Sequence, residues 1–304
     1  MSLLVVGSVA LDSVETPFGA RENALGGSAT YFSAAASLLT QVGVVGVVGD
    51  DFPLSDIDFL RARGVDLSGL ETVPGRTFRW KGRYDFDLNA AQTLDTQLNV
   101  FEHFKPRLSA RARKADRIFL GNIDPVLQLS VLDQVERPRL VAADTMNYWI
   151  SSKREALLAL LPRVDVLLVN DGEARQLSGE SNVIKAARAI QRMGAKSVVV
   201  KRGEYGALLS VGAETFSAPA FPLADVLDPT GAGDSFAGGF LGLLDRTGRG
   251  DLPALKQAVV MGATLASFTV EQFSLDRLRD LTLDQVTARF RSFRGLTHFE
   301  DLPL

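Results

Sequence analysis

The chain has 304 residues and a formal net charge of −3; 46% of the residues are hydrophobic and 23% are charged. This composition is typical of a globular protein with a substantial buried core, and because Lys and Arg are spread along the chain, we expect no nucleic-acid or anionic-membrane surface. The chain contains no cysteine, which excludes disulfides, thiolate metal sites and a cysteine nucleophile.

The apolar segment Leu3–Ala10 is predicted to be a buried strand rather than a targeting segment. It is too short for a secretory core and is not preceded by basic residues. Elsewhere, no apolar stretch approaches the ~20 residues that a membrane helix needs. We therefore expect a cytoplasmic protein.

Short β-branched segments alternate with segments of helical period along the first two thirds of the chain. The predicted strands lie at residues 3–9, 42–49, 117–122, 139–144, 164–170 and 196–203. The predicted helices are Ser28–Leu39, Pro125–Gln134, Ser152–Leu161, Gly172–Leu177 and Asn182–Met193, and a mostly helical region from about 231 to 294. Nearly continuous apolar strands separated by helices are typical of an α/β fold with a largely parallel sheet covered on both faces.

Polar side chains stand at the ends of three of these strands. They are Asp144, Asn170 and Lys201. In open α/β sheets, ligands bind beyond the carboxyl ends of the strands. The sequence therefore predicts a binding site at this edge of the sheet.

The segment TFRWKGRYDF, residues 77–86, alternates strictly between two kinds of side chain. One face carries aromatic rings such as Phe78, Trp80 and Tyr84, and the other face is charged. This period of two predicts a half-exposed strand. We interpret residues of about 72–100 as a small β-lid whose aromatic face covers a substrate, packs on the main domain or pairs with the lid of a second subunit in a homodimer.

The segment DPTGAGDSFAGGF, residues 228–240, places a glycine-rich turn directly before an apolar helix. Such a turn leaves backbone N–H groups unpaired at the positive end of the helix dipole, which makes an anion site. Asp234 stands beside this site, either as a helix cap or as a general base that accepts a proton from a substrate hydroxyl during phosphoryl transfer. A Walker-type GxxxxGK[ST] loop does not occur in the chain.

This segment resembles the C-terminal signature of the PfkB-type carbohydrate kinases, the ribokinase-like family. GGSATYFSAAASLL at 26–39 resembles the family's double-glycine signature, VNDGEARQL at 169–177 its Asn-x-x-Glu motif, and VVVKRGEYGALL at 198–209 the turn that borders the nucleotide. The resemblance implies one three-layer α/β/α sandwich domain over residues 1–304 with a small β-lid. It also implies ATP as phosphoryl donor, Mg²⁺ as cofactor and a hydroxyl of a small molecule as acceptor.

The resemblance places the chemistry at the start of the helix that follows the glycine-rich turn. Asp234 matches the catalytic base, and Gly231, Ala232 and Gly233 match the anion hole that stabilises the charge on the transferring phosphoryl group. The residues that match nucleotide-binding positions of the family are Asn170, Glu173, Lys201, Gly203 and Gly206. The residues alone also allow helix caps and a simple glycine turn at these positions.

Three residues match positions that organise ions in the family. Asp228 and Thr230 match positions that help to bind an activating monovalent cation such as K⁺, although Asp228 could instead be a turn residue before a proline. Glu173 matches a residue that organises Mg²⁺ through water. Because Mg²⁺ keeps much of its water shell and binds mainly to nucleotide phosphates, no all-protein metal cage is expected.

The acceptor side is expected to involve Asp12, Gly26, Gly27 and Asn147. Family members use an Asp at the first position to hold substrate hydroxyls, and the paired glycines let the substrate lie against backbone; a surface-turn role for Asp12 is the alternative. Many members have Asn a few residues after the glycines, where this chain has SATYF. Ribose or ketose specificity therefore does not transfer directly.

The leading prediction is an ATP-dependent kinase that phosphorylates a small sugar or sugar-like acceptor. A nucleoside kinase of the same family is a close rival, because the lid is aromatic and SATYF departs from the common pattern. A non-catalytic nucleotide-binding protein on this fold would lack the base, whereas Asp234 is present. An NAD-dependent oxidoreductase would need GxGxxG after the first strand, where the chain has VVGSVALDS.

Overall fold

The computed structural model describes residues 2–300. The strands are β1 (Leu3–Val6), β2 (Ala10–Thr16), β3 (Gly19–Gly26), β4 (Val42–Gly49), β5 (Asp66–Val73), β6 (Phe78–Tyr84), β7 (Ala91–Gln97), β8 (Arg117–Leu120), β9 (Leu140–Asp144), β10 (Val166–Asn170), β11 (Ser197–Lys201), β12 (Ala207–Val211) and β13 (Glu214–Ala218). The helices are α1 (Ser28–Ala36), α2 (Asp58–Ala62), α3 (Pro125–Leu132), α4 (Asn147–Ser152), α5 (Arg154–Leu160), α6 (Asp171–Ser178), α7 (Val183–Arg192), α8 (Ala232–Thr247), α9 (Leu252–Thr269), α10 (Asp276–Arg279) and α11 (Leu283–Thr297). No helix within these residues is both long and apolar enough to cross a bilayer.

Nine strands form the main sheet, in the order β13-β12-β11-β10-β9-β8-β1-β4-β5. The strands from β11 to β5 in that order pair in parallel, and β12 and β13 add an antiparallel edge. Helices α1, α8 and α9 contribute to the core on one face of the sheet, and α3, α5 and α7 to the core on the other. The predicted three-layer α/β/α sandwich is confirmed.

Alternate residues of each central strand point into opposite layers. In β1, Leu3 and Val5 belong to the core beneath α8, whereas Leu4 and Val6 belong to the core on the other face. Because both faces are covered, all four side chains are fully buried, and the sequence shows continuous apolar runs instead of alternation. The predicted helices are all present, with ends that differ by a few residues.

Helix α8 lies between α1 and α9, and its glycines bring it close to both. A Cβ atom on Gly238 would lie 2.4 Å from the carbonyl oxygen of Phe32 in α1, and one on Gly239 would lie 2.8 Å from that of Met261 in α9. Only residues without a side chain allow this backbone-to-backbone contact. The glycines of the segment FAGGF therefore fix where α8 begins relative to the sheet.

A second sheet of four strands, in the order β3-β2-β6-β7, forms the lid. The prediction that residues of about 72–100 form the lid accounts for β6 and β7 but misses β2 and β3. The start of the predicted range overlaps the end of β5, which belongs to the main sheet. The predicted strand Leu3–Ala10 is in fact divided: β1 ends at Val6, and the chain turns into the lid at Ala10. Apolar character alone gave no signal for this change of sheet.

The aromatic face of β6 lies on the same side of the lid as the side chain of Asp12. In the parallel β2–β6 pair, Asp12 is in register with Trp80, and residues in register point to the same face. The Trp80 indole lies over Gly82, where a Cβ atom would be 2.1 Å from the ring, and its Nε1 donates to Thr93 Oγ1 at 3.2 Å. The opposite face carries ion pairs of Glu15 with Lys81 and Arg83.

A buried ion pair joins the opposite end of the sheet to the end of α8. Arg117 Nη1 lies 3.0 Å from Asp245 Oδ1, and the two side chains are 8% and 2% exposed. Ser2 Oγ and Thr40 Oγ1 also donate to Asp245 Oδ2. The pair therefore ties α8 to β8 by charge as well as by packing.

Asp245→Asn is expected to lower the free energy of unfolding by about 3 kcal/mol, because it leaves the Arg117 guanidinium buried without a counter-charge. Urea denaturation measures this change. The matched control is Asp116→Asn, which breaks an exposed pair with Arg139 and is expected to leave the unfolding midpoint unchanged. Equal effects of the two substitutions would contradict the role given to the buried pair.

Candidate active site

Helix α8 begins with an uncapped, positively polarised end. Its N-cap residue is Gly231, with φ of 74°, and no side chain caps the helix. A Cβ atom on Gly231 would lie 2.3 Å from the ring of Tyr31, so both the backbone angle and the space require glycine here. The N–H of Ala232 donates to the carbonyl oxygen of Pro229 at 3.2 Å. Other first-turn N–H groups, such as that of Gly233, are thus left for an anion. The anion hole of Gly231, Ala232 and Gly233 stays a prediction.

Asp234 lies in this first turn and does not cap the helix, because the cap position belongs to Gly231. Its carboxylate is half-buried and accepts no hydrogen bond from another side chain within residues 2–300. Burial, reinforced by repulsion from Asp144 and opposed by attraction to Lys201, raises the pKa of Asp234 to about 7. A carboxylate with this pKa is suited to accept a proton near neutral pH.

The three polar strand ends meet beneath the start of α8. Asp144, Asn170 and Lys201 are the last residues of β9, β10 and β11. Lys201 Nζ donates to Asp144 Oδ2 at 2.8 Å and lies 2.9 Å from the position that a Cβ atom of Gly233 would occupy. The predicted edge of the sheet therefore brings a cation directly to the anion site.

Asn170 and Glu173 form a reciprocal capping box at the start of α6. Asn170 Oδ1 accepts from the backbone N–H of Glu173 at 2.7 Å, and Glu173 Oε2 accepts from the backbone N–H of Asn170 at 2.7 Å. The helix-cap role that the sequence alone allowed for Asn170 and Glu173 is therefore present in the structure. Burial, followed by repulsion from Asp144, raises the pKa of Glu173 to about 7. Its other oxygen, Oε1, is not used by the box, so this buried carboxylate fits a nearby cation.

Asp12 on β2 brings a second buried carboxylate to the site. Burial, together with repulsion from Asp228 and Asp234, raises its pKa to about 7, and the Gly27 N–H opposes this shift. A Cβ atom on Gly26 would lie 2.0 Å from Asp12 Oδ2, and one on Gly27 would lie 2.5 Å from a main-chain carbonyl oxygen of the β1–β2 connection. The absence of side chains at Gly26 and Gly27 therefore leaves room for the Asp12 carboxylate and for the β1–β2 connection. A direct part of these glycines in acceptor binding stays a prediction.

Asp228 holds the loop that leads into α8. Its Oδ1 accepts from the backbone N–H of Thr230 at 2.9 Å, and its Oδ2 from that of Ser274 at 3.0 Å. This is the turn role that the sequence left open for Asp228. The hydroxyls of Thr230 and Tyr84 lie 3.4 Å apart, which links the loop to the lid. Binding of a monovalent cation by Asp228 and Thr230 stays a prediction.

The remaining predicted residues lie at the margins of this cluster. Gly203 and Gly206 flank a single turn between β11 and β12, with φ of 52° and 82°. Asn147 is exposed at the start of α4, where its carbonyl oxygen accepts from Gln176 Nε2 at 3.4 Å. The structure gives Asn147 no link to Asp12 within residues 2–300.

Two tyrosines lie in the site that the sequence did not single out as site residues, although Tyr84 was predicted to be part of the aromatic lid face. Tyr31 is buried against Gly231, and burial followed by repulsion from Asp228 raises its pKa well above the usual range. Tyr84 reaches Thr230 from the lid, and burial raises its pKa to about 12. The available signal for Tyr31 was its place in SATYF, the segment that departs from the common family pattern.

Comparisons with known proteins identify the family of this chain. Residues 3–279 match the family model of the pfkB family carbohydrate kinases. Over 248 residues the chain is 32% identical to a cytidine kinase of Thermococcus kodakarensis, which covers 79% of this chain and 87% of that enzyme.

Two solved structures have the same fold. A nucleoside kinase of Burkholderia thailandensis in complex with inosine has a TM-score of 0.78 at 21% identity, and the match covers 97% of this chain and 99% of that one. A ribokinase of Thermotoga maritima has a TM-score of 0.75 at 23% identity, and the match covers 96% of this chain and 99% of that one. With the helix start, the carboxylates and the family match over nearly its whole length, the chain is a phosphotransferase that belongs to the pfkB family of carbohydrate kinases.

Proposed function

We propose that this chain is an ATP-dependent nucleoside kinase in which Asp234 is the general base. The observation that carries the choice of acceptor is the 32% identity to a cytidine kinase over 79% of the chain. The sequence alone favoured the broader class of sugars. The aromatic lid face beside Asp12 supports the nucleoside, because an indole ring stacks on a planar base.

The proposed reaction is an in-line displacement. The acceptor hydroxyl oxygen attacks the γ-phosphorus of ATP, the bond from that phosphorus to the β–γ bridging oxygen breaks, and ADP leaves. The hydroxyl proton passes to Asp234. The N–H groups of Gly231 and Gly233 and the ammonium of Lys201 stabilise the charge on the transferring group. The N–H of Ala232 joins them once it is released from the carbonyl oxygen of Pro229.

Kinases of this family use ATP with Mg²⁺. We assign Glu173 to the Mg²⁺ site, through water, because one oxygen of this buried carboxylate lies outside the capping box. Bound Mg²⁺ would neutralise phosphate charge there. Asn170, Gly203 and Gly206 are assigned to the nucleotide side of the site.

We assign Asp12 to the acceptor. Its buried carboxylate can accept hydrogen bonds from two neighbouring hydroxyls, as on a ribose ring, and Gly26 and Gly27 hold it in place. Asn147 is assigned to the rim of this side. These contacts serve a free sugar equally well, so a sugar kinase is the second candidate, supported by the family description.

Three finer proposals accompany this function. Asp228 and Thr230 contribute to a K⁺ site, since both are buried beside the anion site. The lid mediates a homodimer, since β7 is exposed along its whole length and Phe86 is 83% exposed. The activity is cytoplasmic, where ATP is the common phosphoryl donor.

A coupled assay of ADP release tests the acceptor class. Cytidine, uridine, inosine and adenosine are compared with ribose, fructose and 2-keto-3-deoxygluconate, each with Mg·ATP. At least one nucleoside is expected to give the highest kcat/KM, because only nucleosides offer both a diol and a planar base. Asp234→Asn is the control, expected to lose about 10³-fold or more in kcat. A sugar preferred over every nucleoside would overturn the nucleoside assignment.

Trp80→Ala is expected to raise the KM for the preferred nucleoside about tenfold, because stacking on a base contributes about 1–3 kcal/mol. Trp80→Phe should retain most of the affinity. Steady-state kinetics measure both, with Phe18→Ala as the matched control, an exposed aromatic residue in the turn between β2 and β3. If Trp80→Ala changes the KM for ATP instead, the indole does not contact the acceptor.

Asp234→Asn is also expected to stabilise the fold as the pH rises. The folded-state pKa of Asp234 is about 7, above the ordinary value near 4. Ionisation therefore opposes folding increasingly between about pH 4 and 7, and the substitution removes this cost. The Tm of the variant should exceed that of the wild type by more at pH 8 than at pH 5. Asp225→Asn, in an exposed loop, is the control; a gap independent of pH would contradict the raised pKa.

A further inference from the structure

The ion pair between Asp144 and Lys201 crosses the site beneath the start of α8. Strand β10 lies between β9 and β11, so the two strands are about 9–10 Å apart. Yet Lys201 Nζ and Asp144 Oδ2 are 2.8 Å apart, and their side chains are 16% and 7% exposed. The pair is therefore a buried bridge that spans a whole strand.

Each partner ends an apolar row that faces the α8 layer. Ala142 precedes Asp144 in one row and Val199 precedes Lys201 in the other, and both apolar residues belong to the core beneath α8. The change from apolar to charged thus falls where the helix layer ends and its N-terminus begins. Core packing below gives the charged side chains little freedom to turn away.

Asp144 is held independently of Lys201. Its Oδ1 accepts from the backbone N–H of Thr145 at 2.8 Å, and its carbonyl oxygen accepts from Gln128 Nε2 at 3.0 Å. Only Oδ2 is directed to the lysine. The carboxylate is therefore a fixed anchor, and the long side chain of Lys201 adapts to it.

Other carboxylates besides Asp144 lie near the Lys201 ammonium. The charged groups that face Asp234 are Asp12 on β2, Asp144 on β9, Glu173 on α6 and Lys201 on β11. Within residues 2–300, Lys201 forms its ion pair with Asp144 and not with Asp234. A lysine paired with Asp234 would compete for the lone pairs that a general base needs.

We propose that Asp144 is a positioning residue that holds the Lys201 ammonium beside Gly233, where it reaches the transferring phosphoryl group, and keeps it from pairing with Asp234. The proposal rests on the proposed phosphoryl transfer for its kinetic consequence. Its structural consequence, the electrostatic surroundings of Asp234, does not depend on any acceptor.

Carbon-13 NMR titration of the Asp234 carboxyl in the ligand-free protein tests the structural consequence. The Asp234 signal is identified by its absence in Asp234→Asn. Asp144→Asn should lower the pKa of Asp234, since it removes a like charge and frees Lys201 to pair with the base. Lys201→Met should raise it, since it removes the nearest cation.

Kinetics with the accepted substrate test the second consequence. Asp144→Asn is expected to lower kcat about 10- to 100-fold, as misplaced catalytic groups do, with the acceptor KM changed less than threefold. The matched control is Asp165→Asn, which removes another carboxylate between the same strands, paired with Lys196 at 2.6 Å and with the Val141 N–H at 2.7 Å. This control should change neither kcat nor the Asp234 titration.

Opposite shifts in Asp144→Asn and Lys201→Met support the proposal. An unchanged Asp234 titration in both folded variants overturns it, even if no acceptor has been found. Should Asp144→Asn fail to fold, Lys201→Met decides alone, and an unshifted or lowered pKa of Asp234 contradicts the proposal. Absence of turnover with every acceptor, together with opposite shifts, would reject the proposed function and leave the electrostatic assignment standing.

Discussion

The contact between the first turn of α8 and the ends of β9, β10 and β11 is the constraint on which the site depends. Gly238 and Gly239 allow α8 to pack against the backbones of α1 and α9, and the Arg117–Asp245 pair fixes its far end. The helix therefore cannot move away from the sheet without losing core contacts. Its uncapped N-terminus consequently stays directed at the edge where Asp144, Asn170 and Lys201 end their strands.

This contact concentrates negative charge. Asp144, Glu173 and Asp234 surround one ammonium, that of Lys201, and Asp12 lies near Asp234. Burial raises the pKa of Asp12, Glu173 and Asp234 to about 7. Such an arrangement opposes folding near neutral pH and favours any ligand that carries cations or donates protons. An acceptor hydroxyl that donates its proton and a nucleotide that carries Mg²⁺ would both reduce this excess of negative charge. The same charges thus limit stability and provide the basis of the chemistry.

The sheet and the glycine-rich, uncapped start of α8 could be predicted because both depend on local sequence. Apolar runs between helices define buried parallel strands, and a glycine-rich turn before a helix leaves backbone N–H groups that are suited to an anion. The lid was only half predicted, because β2 follows β1 after three residues and its apolar character continues that of the core strand. The bridge from Asp144 to Lys201 could not be predicted, because it depends on strand order, which places β10 between residues 57 positions apart.

The central claim is that Asp234, with a pKa raised by burial at the start of α8, takes the proton of the acceptor hydroxyl. The pH dependence of kcat/KM with the preferred acceptor tests it most directly. We predict a rate that rises with pH through an apparent pKa of about 7, with loss of this limb in Asp234→Asn. A rise of kcat/KM centred near pH 4 would contradict the claim. So would a rise centred near pH 7 that Asp234→Asn retains at rates comparable to those of the wild type.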